Sequence, residues 1–178
     1  MNRQIMRMLA LFSFFLAALA PQVASAETRY HDSVVIVVDA SGSMDANMGN
    51  GNRMDAAKRS LLTVLQQVPS DTYIGLLVCN QDDENRWTYP LGPRNDAKLA
   101  AAINGIRHGG GTPLGEYMKI GADRLLAERD KQFGYGSYRL LVVTDGEASD
   151  PSEMEAHTTE IKQRGLTLDV IGVGMPGD

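Results

Sequence analysis

Residues 33–43 read SVVIVVDASGS, an apolar, β-branched run followed at once by a short polar stretch. A strand that is covered on both faces needs a continuous apolar run of this kind, so we predict a buried strand over residues 33–38. The polar stretch contributes Asp39, Ser41 and Ser43 at alternate positions. Because alternate residues of an extended segment point to the same side, these three side chains are predicted to lie on one side of the segment, close to one another.

Strand-like and helix-like patterns alternate along the rest of the chain. Apolar runs predict further strands over residues 72–79, 87–89, 138–144 and 166–173. Helical spacing predicts helices over 54–68, 95–103 and 151–163, and a longer one that begins at Thr112-Pro113 with the proline in its first turn. The short polar loop before residue 87 makes that strand an antiparallel edge, whereas helical crossovers make the other strands parallel. The predicted fold class is α/β, an open and mostly parallel sheet with helices on both faces.

Composition and charge restrict the class of protein. The chain has 178 residues, of which 43% are hydrophobic and 22% charged, a balance typical of one globular domain. A net charge of −5 argues against a nucleic-acid partner. The single cysteine excludes a disulfide framework and a cysteine-based zinc site. Cys79 closes an apolar run, so we expect a buried, inert thiol, with intermolecular pairing as the lesser alternative.

The first 26 residues have the three parts of a secretory signal peptide. Two arginines without an acid precede an apolar run over 8–20, and Ala24-Ser25-Ala26 supplies small residues for cleavage. The run is too short to span about 30 Å of hydrocarbon as a helix; an uncleaved anchor or a buried helix is the alternative. The mature domain, 27–178, would carry 15 basic and 22 acidic side chains. We therefore expect an exported protein, periplasmic or secreted, with no stable membrane anchor after cleavage.

Five oxygen-bearing side chains are predicted to meet at one edge of the sheet. In open α/β sheets, ligands bind beyond the carboxyl ends of the strands. Asp39, Ser41 and Ser43 follow the first strand, Asp145 follows the strand over 138–144, and a glycine run brings in Thr112. An all-oxygen set of this kind suits Mg²⁺, with Mn²⁺ as a substitute. Two carboxylates only balance the charge of the ion, so it should keep an exchangeable water that an external carboxylate can replace.

This constellation, Asp39-x-Ser41-x-Ser43 with Thr112 and Asp145, resembles the metal-ion-dependent adhesion site of von Willebrand factor type A (VWA) domains. The surroundings are similar too, since GGTPL precedes the long helix and VVTDG closes a central strand. The resemblance covers residues 33–174, and the full set in order is a specific signal.

The resemblance implies a Rossmann-like fold and a protein that is not an enzyme. It also implies that a metal ion bound to this protein captures an Asp or Glu side chain of a partner protein. It implies that Ser41, Ser43 and Thr112 contact the ion directly. Asp39 and Asp145 would bind it directly or through water.

One departure from the family concerns the end of the sequence. VWA domains usually continue with another helix, a sixth strand and a C-terminal helix, whereas this sequence ends at Asp178. We expect either a pared-down fold or a truncated sequence that lacks the last strand and helices. The strand over 166–173 would then be an exposed edge.

Competing interpretations stay open beside this one. Taken singly, each of the five residues is an ordinary turn or cap residue, and Thr112 is a fair helix N-cap. The alternative function is a metal-dependent hydrolase or phosphatase on a similar sheet, although haloacid-dehalogenase-type phosphatases need a second Asp where this chain has Ser41. A calcium loop of the EF-hand type fails, because its Gly and Glu positions hold Met44 and Asn50.

Overall fold

The computed structural model describes residues 30–79, 86–146 and 148–175. The predicted signal peptide, 1–26, lies outside these described residues and remains a prediction. Among the described residues, no helix is both long and apolar enough to cross a lipid bilayer.

The described chain contains five strands and four longer helices. The strands are β1 (Ser33–Asp39), β2 (Tyr73–Cys79), β3 (Trp87–Pro93), β4 (Tyr138–Thr144) and β5 (Thr167–Gly172). The helices are α1 (Arg53–Leu65), α2 (Asp96–Gly105), α3 (Leu114–Lys131) and α4 (Pro151–Gln163), and a 3₁₀ turn, Gly42–Asp45, follows β1.

The five strands form one sheet in the order β3-β2-β1-β4-β5. β1 pairs in parallel with β2 and β4, β4 pairs in parallel with β5, and β3 is antiparallel to β2. The predicted α/β class with one antiparallel edge strand is therefore confirmed. In the register, Asp39 lies opposite Cys79, and Val38 lies opposite Val143, so the carboxyl ends of the three central strands are level.

Each face of the sheet carries its own hydrophobic core. Ile36 and Val38 of β1 pack on one face with residues of α1 and α2, whereas Val35 and Val37 pack on the other with residues of α3 and α4. Burial of β1 on both faces explains its continuous apolar sequence. Toward the other edge of the sheet, β5 is more open, and Val170 is 58% exposed.

Two predicted boundaries are wrong by several residues. The first helix ends at Leu65 and not at residue 68, because the chain tightens into a 3₁₀ turn in which Gln67 N–H donates to Val64 C=O. Val68 still packs against the core although it lies beyond the end of the helix. Its apolar side chain therefore extended the helical pattern in the sequence past the true end of the helix. β3 continues to Pro93, since an edge strand tolerates prolines that a central strand would not.

The residues at the N-caps of the helices differ in what their side chains contact. Asn95 accepts from Lys98 N–H, as a cap should. Pro113 precedes α3 as its N-cap residue instead of lying in the first turn, so Thr112 does not cap that helix. Asp150 stands at the N-cap of α4 without a side-chain cap bond; its carboxylate accepts from Gly115 N–H of α3 at 3.0 Å instead.

Candidate metal centre

Asp39 is held between its own loop and the neighbouring strand. It is the last residue of β1 and is completely buried. Its Oδ1 accepts from Ser41 N–H at 2.9 Å, and its Oδ2 accepts from the Thr144 hydroxyl at 2.8 Å. The same hydroxyl accepts from Gly146 N–H at 3.0 Å. Thr144 thus fixes both the Asp39 carboxylate and the turn that contains Asp145.

The two serine hydroxyls of the first loop lie side by side. Ser41 Oγ and Ser43 Oγ share a hydrogen bond of 2.8 Å in which either can donate; Ser41 is buried, and Ser43 is half-buried. Two adjacent ligands of an octahedral Mg²⁺ with bonds of about 2.0–2.1 Å lie about 2.8–3.0 Å apart. The spacing of these hydroxyl oxygens therefore fits two positions on one small dication.

The glycine run packs directly on the first loop. Gly109 N–H donates to Ala40 C=O at 2.7 Å, and Gly42 N–H donates to Gly110 C=O at 3.2 Å. Gly109 and Gly110 have φ values of 147° and 80°, a backbone region that favours glycine. These contacts bring the loop that leads to Thr112 onto the Asp39 loop.

Thr112 is buried and is bound to the loop that follows β4. Its N–H donates to Ser149 Oγ at 3.0 Å, and its C=O accepts from Ser149 N–H at 3.0 Å. This two-way contact holds Thr112 outside α3, which explains why it is not the cap of that helix. Thr112 therefore lies between the Asp39 loop and the loop after β4.

Asp145 follows β4 directly, and its side chain has no exposed surface. Arg53 Nη1 donates to Asp145 Oδ2 at 2.8 Å. Arg53 is the first residue of α1, and sequence reasoning did not identify it as a site residue. It also did not identify Thr144 or Ser149, although Thr144 lies immediately before Asp145 in the sequence.

All five predicted site residues lie at the carboxyl edge of the central strands. Direct contacts join Asp39 to Ser41 and Ser41 to Ser43, whereas Thr112 and Asp145 are anchored by Ser149 and Arg53. Within the described part of the chain, no three His, Cys, Asp or Glu side chains are grouped as metal ligands. A dication at this edge would therefore depend on hydroxyl oxygens as well as on the two carboxylates.

Other polar residues near this edge have ordinary roles in the structure. His108, on the loop after α2, has its Nε2 3.2 Å from Oδ1 of Asp45, which ends the 3₁₀ turn; both residues are exposed. Cys79, at the end of β2, is completely buried, as predicted. Burial, and next the nearby Asp39 charge, raise the pKa of the Cys79 thiol well above its usual value, which keeps the thiol protonated and unreactive. Glu147 and the acidic stretch at 82–84 lie outside the described residues.

The VWA domain family matches this chain over residues 34–147, which is more than half of its 178 residues. The chain therefore belongs to the von Willebrand factor type A domain family. The family is known for metal-dependent protein interactions, and its adhesion proteins are mostly not enzymes. All five candidate residues fall within the matched range.

Individual relatives are distant and differ in length. The uncharacterised YwmC protein of Bacillus subtilis (strain 168) is 23% identical over 177 residues, which cover 91% of this chain and 75% of YwmC. Inter-alpha-trypsin inhibitor heavy chain H3 of Bos taurus is 27% identical over 122 residues, which cover 66% of this chain and only 13% of that protein.

A solved structure supports the fold. The crystal structure of the manganese-loaded TRAP protein of Plasmodium vivax superposes with a TM-score of 0.59 and 17% sequence identity, over 81% of this chain and 57% of that one. At this identity the likeness concerns the fold, which agrees with the sheet order and the two covered faces described above.

Proposed function

We propose that this VWA domain binds Mg²⁺, or Mn²⁺ in its place, through Asp39, Ser41, Ser43, Thr112 and Asp145, and that the bound ion captures an acidic side chain of a partner protein. The observation that carries the proposal is the serine pair: two hydroxyl oxygens 2.8 Å apart, next to a completely buried carboxylate. The two hydroxyls share a hydrogen bond at this distance, and the same spacing suits two adjacent ligands of a small octahedral dication.

The donor set determines what a bound ion would offer a partner. Asp39 and Asp145 together balance a dication, whereas the hydroxyls of Ser41, Ser43 and Thr112 add no charge. Such an ion stays electron-poor and supplies a Lewis-acid contact for a further oxygen ligand. The manganese in the TRAP structure supports a divalent metal in this fold.

Charge explains why the partner would need the metal. The chain carries a net charge of −5, and Asp39 and Asp145 are both at the proposed binding edge. Without a dication, Arg53 offsets the charge of Asp145 only, and the remaining negative charge at this edge repels an incoming Asp or Glu side chain. Partner binding should therefore require the metal and should be lost when the partner carboxylate is changed to an amide. We also propose that the protein is exported, on the basis of the signal-like sequence at 1–26.

The direct test is thermal unfolding of the protein in chelator and in Mg²⁺. At a concentration of 100 Kd, binding stabilises the folded state by about 2.7 kcal/mol, which raises the Tm by about 5–10 °C in a domain of this size. Asp39→Ala should abolish the shift. Asp71→Ala removes an exposed acid on a turn before β2 and should leave it intact. An unchanged Tm of the wild-type protein in saturating Mg²⁺ and in chelator would contradict the proposal.

A second assay separates binding from the alternative of hydrolysis. Aryl phosphate or ester turnover that disappears in the Asp39→Ala variant would favour the metal-dependent hydrolase. Metal-dependent retention of a partner protein, lost on Asp-to-Asn or Glu-to-Gln change in that partner, would favour the binding domain.

A further inference from the structure

Arg53 places a positive charge at the edge where the proposed metal site lies. Its Nη1 donates to Asp145 Oδ2 at 2.8 Å, the Asp145 side chain is 0% exposed, and the Arg53 side chain is 21% exposed. A carboxylate removed from water needs a compensating charge close by. The guanidinium supplies that charge from the protein itself.

The start of α1 fixes the base of the Arg53 side chain. Asn52 and Asp55 form a reciprocal capping box, in which Asn52 Oδ1 accepts from Asp55 N–H at 2.9 Å. Arg53 N–H itself donates to Ala46 C=O at 3.0 Å, in the loop that leaves the candidate site. The guanidinium also reaches Gly174 C=O, 3.4 Å from Nη2. Arg53 is therefore directed at Asp145 by an anchored backbone and not by a mobile loop.

A bound metal ion and the Arg53 guanidinium would compete for the same carboxylate. Asp39 and Asp145 carry two negative charges, which one dication would neutralise. With Arg53 in place, the same two carboxylates face three positive charges, and cations a few ångströms apart repel each other strongly in a buried site. An incoming dication must therefore share the Asp145 carboxylate with the guanidinium or displace it.

We infer that Arg53 is a built-in competitor of the metal ion. It stabilises the buried Asp145 carboxylate in the metal-free protein and weakens the binding of the dication, which keeps the ion exchangeable. This inference rests on the proposed function, because it assigns a role at the same site. Arg53 acts here as a positioning and tuning residue and is not a metal ligand.

Calorimetric titration with MnCl₂ tests the competition. Arg53→Gln should bind Mn²⁺ about tenfold more tightly than the wild-type protein, because a positive charge beside the ion is removed. The matched control is Arg59→Gln, which removes the same charge from an exposed position of α1 and should change the Kd by less than about twofold, since solvent screens its charge. Loss of a purely supporting contact does not tighten metal binding, so tighter binding by Arg53→Gln would identify competition. Equal or weaker binding would overturn the inference.

A measurement on the unaltered side chain keeps the test independent of how well the Arg53→Gln variant folds. In the metal-free wild-type protein, the ion pair should give slowly exchanging guanidinium N–H signals, assigned by their loss in Arg53→Lys. Saturating Mg²⁺ should shift or broaden these signals as Asp145 turns to the ion. Signals that stay unchanged in Mg²⁺-saturated protein would also overturn the inference.

The same titrations separate this inference from the proposed function. If neither the wild-type protein nor Arg53→Gln binds Mn²⁺, the proposed metal site itself fails. If the wild-type protein binds Mn²⁺, and Asp39→Asn does not, the site stands and the comparison with Arg53→Gln decides the role of the arginine.

Discussion

The two ends of the central strands bury polar side chains in different ways. At the amino end, the Gln132 side chain accepts from His31 N–H at 2.8 Å and donates to His31 C=O at 3.1 Å and to the Tyr138 hydroxyl at 2.8 Å. At the carboxyl end, Ser41 Oγ and Ser43 Oγ are hydrogen-bonded to each other, and the Asp39 carboxylate accepts from Ser41 N–H and from the Thr144 hydroxyl. At the amino end, the Gln132 amide has its partners inside the fold, and the nearly buried Glu128 carboxylate close by is paired with Lys131 at 3.0 Å. The carboxyl end gathers hydroxyl oxygens around two buried carboxylates.

This difference separates a stabilising network from a binding site. Polar groups whose partners lie inside the fold, such as the Gln132 amide and the Glu128–Lys131 ion pair, contribute stability without a ligand. A group of buried oxygens with two negative charges requires a cation, which Arg53 supplies in part and a dication would supply in full. Substitutions at the amino end should therefore change stability alone, and substitutions at the carboxyl end should also change the response to metal.

The largest effect on stability is expected at the amino end. Gln132→Ala removes three hydrogen bonds of a buried side chain and should lower the free energy of unfolding by about 3 kcal/mol, at about 1 kcal/mol for each bond. Urea unfolding measures this loss. The increase in Tm caused by Mg²⁺ should be the same as in the wild-type protein.

Gln67→Ala serves as the control for this change, because Gln67 is exposed in the turn after α1. It should alter the free energy of unfolding by less than about 0.5 kcal/mol. A smaller increase in Tm with Mg²⁺ in Gln132→Ala would show that the two ends of the sheet are not independent. It would contradict the statement that substitutions at the amino end change stability alone.

A smaller loss of stability, with an added effect on metal, is expected at the carboxyl end. Thr144→Val keeps the shape of the side chain but removes the hydroxyl that donates to Asp39 Oδ2 and accepts from Gly146 N–H. The free energy of unfolding in chelator should fall by about 2 kcal/mol, because buried polar groups lose a partner. The Kd for Mn²⁺ should also rise, since Asp39 and the Asp145 turn lose a shared anchor.

The control for this change is Thr63→Val, which alters an exposed threonine of α1 and should leave both quantities nearly unchanged. If Thr144→Val destabilised the protein and left the Kd for Mn²⁺ at the wild-type value, the carboxyl end would behave like the amino end, and the distinction between them would be lost.

Sequence patterns predicted the fold well wherever one local signal decided the structure. The apolar run over 138–144 has the same bounds as β4, and Asn95 caps α2. The pattern failed where contacts distant in the sequence decided the structure. Thr112 is kept out of α3 by Ser149, 37 positions away, and no local pattern contains that contact.

The candidate site was predictable in its location but not in its surroundings. The parallel register of β1 with β4 brings Asp39 and Asp145 to one edge of the sheet. The alternation of strand-like and helix-like patterns along the sequence was enough to predict this parallel arrangement. The pairing of Arg53 with Asp145 spans 92 positions. It depends on how α1 packs over the sheet, which sequence spacing alone does not specify.

A crystal soaked in MnCl₂ shows whether oxygens of three loops can share one dication. We expect a single anomalous peak at the carboxyl edge, about 2.0–2.3 Å from Ser41 Oγ and from Ser43 Oγ, with Asp39, Thr112 and Asp145 around it. A fully soaked crystal with no peak at that position, or with Mn²⁺ bound only elsewhere, would contradict this expectation.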